Sequence, residues 1–425
     1  MTKPRLTCVA PFVPYPGVPH AGGEFLLNYL DRLSDHFEVR LISVDSPSNR
    51  SAALRCPTTI SVHLFRVSHP RRNLVQQVAG YLRHISGGLT PGRDVCKSFA
   101  SSSLVRALLQ GSNIIEVQWS QYLPLIPAIR TINRSAPLGA LLHDVMAESA
   151  LRRAISASSA PQRVRAAIVA LWARKQEPDL VNQCDAAFVF KEEDINLLKR
   201  LGARRPIRVF DPFLDTPDPP FTRSGNGHVL FTGALWREEN AEAAEWFIAQ
   251  VWPRVLVRCP FATLTVAGAD PVDRVRRLAG PHVTITGRVA DLGVFYRSAN
   301  LFVAPLLCGG GLKFKVPQAM LYALPVVATP LAVEGICPPA PTTVFGGISR
   351  SPQTMADSIC RLLEDPSTAV SIGEAARRWA IDRFSFDNTI STAINVYEGL
   401  LKSARDSSAA SHRRPPLLSE TRAPL

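Results

Sequence analysis

The sequence predicts an α/β protein of two domains, each built on a parallel sheet. Three observations carry this. Arg5 to Phe12 (RLTCVAPF) is a strand-length apolar run. A loop, helical spacing from Glu24 to Leu33 and a second apolar run at Val39–Val44 follow it, and a β–loop–α–β start implies a parallel sheet. The pattern restarts at Val229–Gly233 (VLFTG), before a helix expected over Ala241–Val251 and a strand at Thr263–Gly268. Between the two lies a stretch, 211–228, that reads as a linker: Pro212, Pro217, Pro219 and Pro220 precede Ser224-Gly225-Asn226-Gly227. A length of 425 residues also favours two domains.

In the first domain, 1–210, further strands are expected at Ser61–Val67, Asn113–Val117, Leu138–Leu142, Ala186–Phe190 and Ile207–Phe210. Helical spacing begins near Leu74, and the 71–103 region is broken by Gly87, Gly88, Pro91 and Gly92. Gly22 and Gly23 stand just before the first helix. Leu151–Gln176 fits two helices split by Pro161, with Val164, Ala167, Ile168, Leu171 and Trp172 as an apolar stripe beside several arginines. That stripe suits a surface helix packed on its own domain, the preferred reading, or peripheral contact with anionic lipid. In the second domain, 229–385, Trp252-Pro253 is expected to end the first helix. Strands follow at Val283–Thr286 and Leu301–Leu307, and a strand fragment at Val344–Gly346. A last helix, 386–404, precedes a polar, proline-bearing tail, 405–425, expected to be disordered.

Composition narrows the function. At 46% hydrophobic and 20% charged, the chain can bury large cores. A net charge of +13 favours anionic partners: nucleotide-sugars, phospholipid surfaces or nucleic acid. No compact Lys/Arg block interleaved with aromatics appears, so no nucleic-acid partner is expected. The eight cysteines form no Cys-x-x-Cys pair, which speaks against a zinc site or a disulfide framework and suits the cytoplasm. No run of eighteen apolar residues stands in the sequence, so any membrane contact is expected to be peripheral, at the inner face.

The most informative stretch is Leu301–Ile336. An apolar run leads to Gly309, Gly310 and Gly311, then Lys313-Phe314-Lys315, then a helix of about ten residues around Gln318, then Val326–Thr329. Glycines let a backbone take positive φ and approach a ligand, and their N–H groups line anion pockets. A strand, a glycine loop, cations and a helix N-terminus together suit a phosphate. Taken alone, the glycines favour an ordinary crossover turn.

The order Gly-x-Lys-x-Lys, Gln-Ala-Met, Leu-Pro-Val-Val-Ala-Thr-Pro and Glu-Gly-Ile resembles the donor-site signature of the family-four retaining glycosyltransferases (glycosyl transferases group 1). The resemblance implies a GT-B fold: two Rossmann-like domains with a nucleotide-sugar in the cleft between them. Two glutamates with seven residues between them in the family fall on Gly310 and Gln318. The second is expected to accept hydrogen bonds from the donor ribose, and Gln318 is a departure that removes its charge. Lys313 and Lys315 match the two basic positions. His143, in LLHDVMAES at the end of a predicted strand, matches a histidine near the donor sugar. Gly22 and Gly23 match a double glycine against the donor phosphate or the acceptor. Arg237, in a Gly-x-x-Trp-x-x-Asn-like segment, is placed to reach the diphosphate. Arg288 and Val289 match a loop that holds the base through backbone groups.

The resemblance therefore implies a hexosyltransferase. It moves a sugar from a nucleotide diphosphate donor to a hydroxyl of a glycan or lipid-linked acceptor, with retention, in polysaccharide or glycoconjugate synthesis. Developing charge on the diphosphate is met by Arg237, Lys313, Lys315 and the amides of Gly309–Gly311. No Asp-x-Asp stands at a strand end, so neither a metal nor a cofactor is expected. Rival readings are an idle paralogue that binds a glycan or a partner, a nucleotide-sugar epimerase, and a dehydrogenase, which would need a Gly-x-Gly-x-x-Gly that Pro14–Gly23 does not supply.

Overall fold

In the computed structural model the described residues are 2–18, 21–68, 92–156, 159–219, 221, 223, 227–336, 338, 340–384 and 386–412. The helix expected from Leu74 lies outside them, as does the tail beyond His412.

Two parallel sheets form the molecule. The first has seven strands: β1 (Arg5–Val9), β2 (Glu38–Val44), β3 (Ile60–Phe65), β4 (Ile114–Gln118), β5 (Leu138–Leu142), β6 (Ala186–Val189) and β7 (Ile207–Val209), in the order β3-β2-β1-β4-β5-β6-β7. The second has six: β8 (His228–Thr232), β9 (Thr263–Ala267), β10 (Val283–Gly287), β11 (Leu301–Ala304), β12 (Val326–Ala328) and β13 (Gly347–Ile348), ordered β10-β9-β8-β11-β12-β13. The central strands are buried on both faces, which is why they read as continuous apolar runs rather than alternating ones. Strand order reverses at β1/β4 and at β8/β11, and open α/β sheets bind ligands beyond the carboxyl ends of strands at such points.

Several elements differ from expectation for physical reasons. The first helix begins at Ala21, so Gly22 and Gly23 form its first turn and do not precede it. Trp252-Pro253 does not end a helix. The helix Glu238–Trp246 widens into a π-turn at Phe247–Val251 and resumes as Trp252–Arg258. A proline inside a continuous α-helix loses a hydrogen bond and clashes one turn back, and the wider turn re-phases the ladder so that Pro253 sits in a first turn. Val344 closes a short helix, Pro341–Val344, and β13 starts at Gly347 instead. The last helix runs Phe386–His412, past the expected end at 404.

Pro161 does split two helices, Met146–Ser156 and Ala160–Val181. It stands in the second helix's first turn, where the Ser159 side chain accepts from the Gln162 amide. Three members of the stripe expected to pack inward point outward, while Trp172 packs partly buried against the core. Val164 (60% exposed), Ile168 and Leu171 (70%) face solvent, while Ala166, Ala170 and Ala173 are buried. Alanines let the two helices lie close, and the larger apolar residues are left on the surface beside Arg163, Arg174 and Lys175.

Candidate active site

The carboxyl end of β5 starts the site. Chain direction turns at His143-Asp144 and enters the helix Met146–Ser156, whose first amides (Met146 and Ala147) donate to buried Glu177 at 2.9 and 3.1 Å. Burial pushes that carboxyl up to about 8. His143 is buried. Its ring stacks on Trp119, with centroids 3.7 Å apart and planes 10° apart, and meets the edges of Phe25 and Phe190 at 5.5 and 5.0 Å. Its Nε2 lies 3.0 Å from Gln118 Oε1. Trp119 holds a positive φ of 69°, an uncommon conformation for a large residue and one that clusters at functional sites.

From the second sheet, the loop after β11 reaches the same place. Gly309 and Gly311 have φ of +115° and +64°. A Cβ on Gly310 would overlap Ser149 Oγ, and one on Gly311 would overlap the His143 carbonyl. So these two glycines are required by the approach of one half of the molecule to the other, a reason beyond the ligand approach expected from the sequence. Lys313 is buried, and its Nζ donates to the carbonyls of Gly310 (2.6 Å) and Gly311 (2.7 Å). Burial lowers its pKa to about 8. Phe314 packs on Phe190 and Phe25 at 5.4 and 6.0 Å, so the loop meets the first helix at Phe25, just after Gly22 and Gly23.

Lys315 opens a helix of only seven residues, Lys315–Leu321, shorter than expected. Its Nζ donates to Asn240 Oδ1 at 2.7 Å and lies 4.7 Å from the Phe231 ring centroid. Burial lowers its pKa to about 7. Gly233, at the end of β8, faces this ammonium, since a Cβ there would come within 2.8 Å of Nζ. Both lysine amines are therefore held in poorly solvated surroundings, where an anion would favour the ammonium form.

Arg237 lies just before the helix Glu238–Trp246, half-exposed, and pairs with Glu239 at 2.6 Å. Its near neighbours are engaged elsewhere: Glu238 with Arg274 at 2.6 Å and Glu242 with Arg153 at 3.0 Å. Gln318 is half-buried, with its Oε1 3.5 Å from the Tyr296 hydroxyl. Gly311 thus lies against the His143 carbonyl, Lys313 holds the Gly310 and Gly311 carbonyls, and Lys315 stands two residues further on. Arg288 and Val289 lie apart from them, beyond the end of edge strand β10, where Arg288 pairs with Asp270 at 2.6 Å.

The sequence reading missed an ion network across the cleft. Lys191, fully buried after β6, pairs with Glu148 (3.1 Å), Asp194 (3.3 Å) and Glu334 (3.3 Å). Arg152 bridges Glu148 and Glu334, each at 2.7 Å. Burial pushes Asp194 up to about 7 against the pull of Lys191. The available signal was a lysine directly after an apolar strand, at the carboxyl end where ligands and partner domains gather. A cavity of about 720 Å³ lies elsewhere, at the amino ends of β5–β7, beside Leu400 and Ser403. Its Arg130 is committed to Asp185 and the Gln183 carbonyl, so it is an architectural recess and not the site.

Comparison with known proteins bears on this arrangement. The family model of the glycosyl transferases group 1 matches residues 226–365, which span Gly233, Arg237 and the lysine loop. The chain is 28% identical over 167 residues to the GDP-mannose-dependent alpha-(1-6)-phosphatidylinositol monomannoside mannosyltransferase of Mycobacterium tuberculosis, a match covering 35% of this chain and 42% of that protein. It spans well under half the length of the curated relatives it matches. Among solved structures, sucrose-phosphate synthase from Thermosynechococcus elongatus superposes with a TM-score of 0.69 at 14% identity, over 94% of this chain and 100% of that one. Anabaena Alr3699/HepE in complex with UDP and glucose gives 0.65 at 14% identity, over 93% and 99%. These likenesses establish the architecture of two Rossmann-like halves. The chain carries the GT-B fold, and its residues 226–365 match the glycosyl transferases group 1 family model.

Proposed function

We propose that the protein is a glycosyltransferase that moves a sugar from a nucleotide diphosphate sugar to a hydroxyl, with retention. In this reading residues 1–210 form the acceptor half, 211–228 the linker and 229–385 the donor half, with the last helix crossing back. The observation that carries the proposal is the pair of poorly solvated ammonium groups, Lys313 and Lys315, set beside a glycine loop that faces His143. Lys313, Lys315 and Arg237 offset charge on the departing diphosphate, together with the amides of Gly309–Gly311. His143 holds a sugar hydroxyl, Gln318 the ribose, and Arg288 and Val289 the base. Mobile-donor binding requires the glycine loop to move off His143 and Ser149, and then to close again. The names of the similar proteins support this reading: one is a GDP-mannose-dependent mannosyltransferase, and one was solved with UDP and glucose.

The acceptor we propose is a glycan or a lipid-linked glycan at the inner membrane face. Val164, Ile168 and Leu171 exposed beside Arg163, Arg174 and Lys175 support peripheral contact with anionic lipid. No helix among the described residues is long and apolar enough to cross a membrane. A thermal-shift screen of UDP-, GDP- and ADP-sugars tests the donor claim. Stabilisation by one nucleotide class, with release of the diphosphate when acceptor extract is added, is the expected result. Stabilisation without release in any extract would favour an idle paralogue, and isomerised donor without acceptor an epimerase. Flotation with anionic vesicles tests the membrane contact, and loss of flotation in Ile168→Asp/Leu171→Asp is expected.

A further inference from the structure

Polar residues inside a buried strand need a reason, and β4 carries two. Glu116 and Gln118 are fully buried and lie two residues apart, so they share one face of the sheet. The Tyr29 hydroxyl donates to Glu116 Oε2 at 2.6 Å, and the Tyr397 hydroxyl donates to the same oxygen. Gln118 Nε2 donates to Glu116 Oε1 at 2.5 Å, and Gln118 Oε1 faces His143 Nε2 at 3.0 Å. Tyr397 comes from the last helix and enters through a gap made for it. Gly139 on β5 pairs in register with Glu116, and a Cβ there would stand 2.5 Å from the tyrosine oxygen.

We propose that Gln118 is a positioning residue for His143, and that buried Glu116, held by Tyr29 and Tyr397, fixes the Gln118 amide in the orientation that does so. The inference rests on the reading of His143 as part of the donor site. A carboxylate only accepts, so the Glu116 oxygen facing Gln118 selects the amide nitrogen. The amide oxygen is then turned to His143, and an acceptor there requires N–H on Nε2. Nε2 then carries the proton of the neutral ring, and the Trp119 stack fixes the ring plane. Burial raises the Glu116 carboxyl, while its three donors pull it down. Were it neutral, its proton would sit on Oε1, turn the amide over and reverse the histidine tautomer.

The test is ¹⁵N–¹H correlation of the histidine rings in the full-length protein, with His143→Gln for assignment. His143 as the Nε2–H tautomer is expected in the wild type. Glu116→Gln is expected to give a mixed tautomer with the fold kept, because a Gln118 facing an amide takes either orientation. Tyr397→Phe is expected to retain the wild-type tautomer, since Tyr29 still fills Oε2. Gln118→Glu is expected to raise the pH midpoint of His143 by at least one unit, a tenfold change in protonation. An Nδ1–H tautomer in the wild type, or a tautomer unmoved by Glu116→Gln, overturns the proposal. These readouts need no turnover, so they stand or fall apart from the transferase reading. If that reading also holds, Gln118→Leu lowers kcat at least tenfold with the donor KM within about threefold.

Discussion

Lys315 offers a measurable consequence of burying an amine. Its ammonium sits against the Phe231 ring with Asn240 as its hydrogen-bond acceptor, and its pKa falls from 10.5 to about 7. A shift of that size corresponds to about 5 kcal/mol of preference for the neutral form, at about 1.4 kcal/mol per unit. A base with a lowered folded pKa contributes stability that is present above its unfolded pKa and lost as pH falls through its folded pKa. Wild-type stability therefore contains a Lys315 contribution that grows as pH rises from 7 towards 10.5. Between pH 7 and 9 linkage gives about 2 kcal/mol. Lys315→Met removes the titration and keeps most of the volume. Asp194 and Lys313 titrate in both proteins and cancel in the difference. The melting temperature of the variant minus that of the wild type should fall by about 4–8 °C from pH 7 to pH 9. Differential scanning calorimetry without nucleotide measures this. Parallel curves would refute the reasoning and place the Lys315 ammonium in solvent.

Three other outcomes are expected. Lys313→Ala should lose about 2–4 kcal/mol of transition-state stabilisation, read as kcat/KM in a diphosphate-release assay, because one preorganised cation is removed. Gln318→Glu should tighten nucleoside diphosphate binding by about 1–2 kcal/mol in calorimetric titration, since a charged acceptor bonds the ribose more strongly; weaker binding would take Gln318 away from the ribose. Lys191→Met should cost about 3–5 kcal/mol in urea unfolding, because Asp194, Glu148 and Glu334 lose their shared counter-charge.

Much of this architecture is legible in the sequence because parallel strands buried on both faces are plain apolar runs. Leu138–Leu142 and Thr263–Ala267 needed no more than that. What escaped depends on distance in the chain. The π-turn before Pro253 is a response to one proline by five residues that carry no mark of their own. The helix Ala160–Val181 misled because hydrophobicity pointed to Val164 and Leu171, whereas close helix packing selected the alanines. In the candidate site, the lysine loop and His143 stand out locally. Their partners do not: Gln118 and Glu116 sit inside an apolar strand, and Tyr397 lies 281 residues from Glu116. A carboxylate in the middle of Ile114–Gln118 was the visible sign, and its meaning required the fold. Gly310 and Gly311 were marked by the sequence, but their closest neighbours belong to the other half of the molecule.

The proposed donor site holds a nucleotide diphosphate between the glycine loop and His143. The most direct measurement is a crystal structure with the UDP- or GDP-sugar that stabilises the protein best. Diphosphate oxygens are expected within hydrogen-bond distance of Lys313 and Lys315, with the glycine loop shifted away from Ser149 and the sugar beside His143. A diphosphate bound outside that cleft, or nucleotide held with both lysines still donating only to Gly310, Gly311 and Asn240, would contradict it.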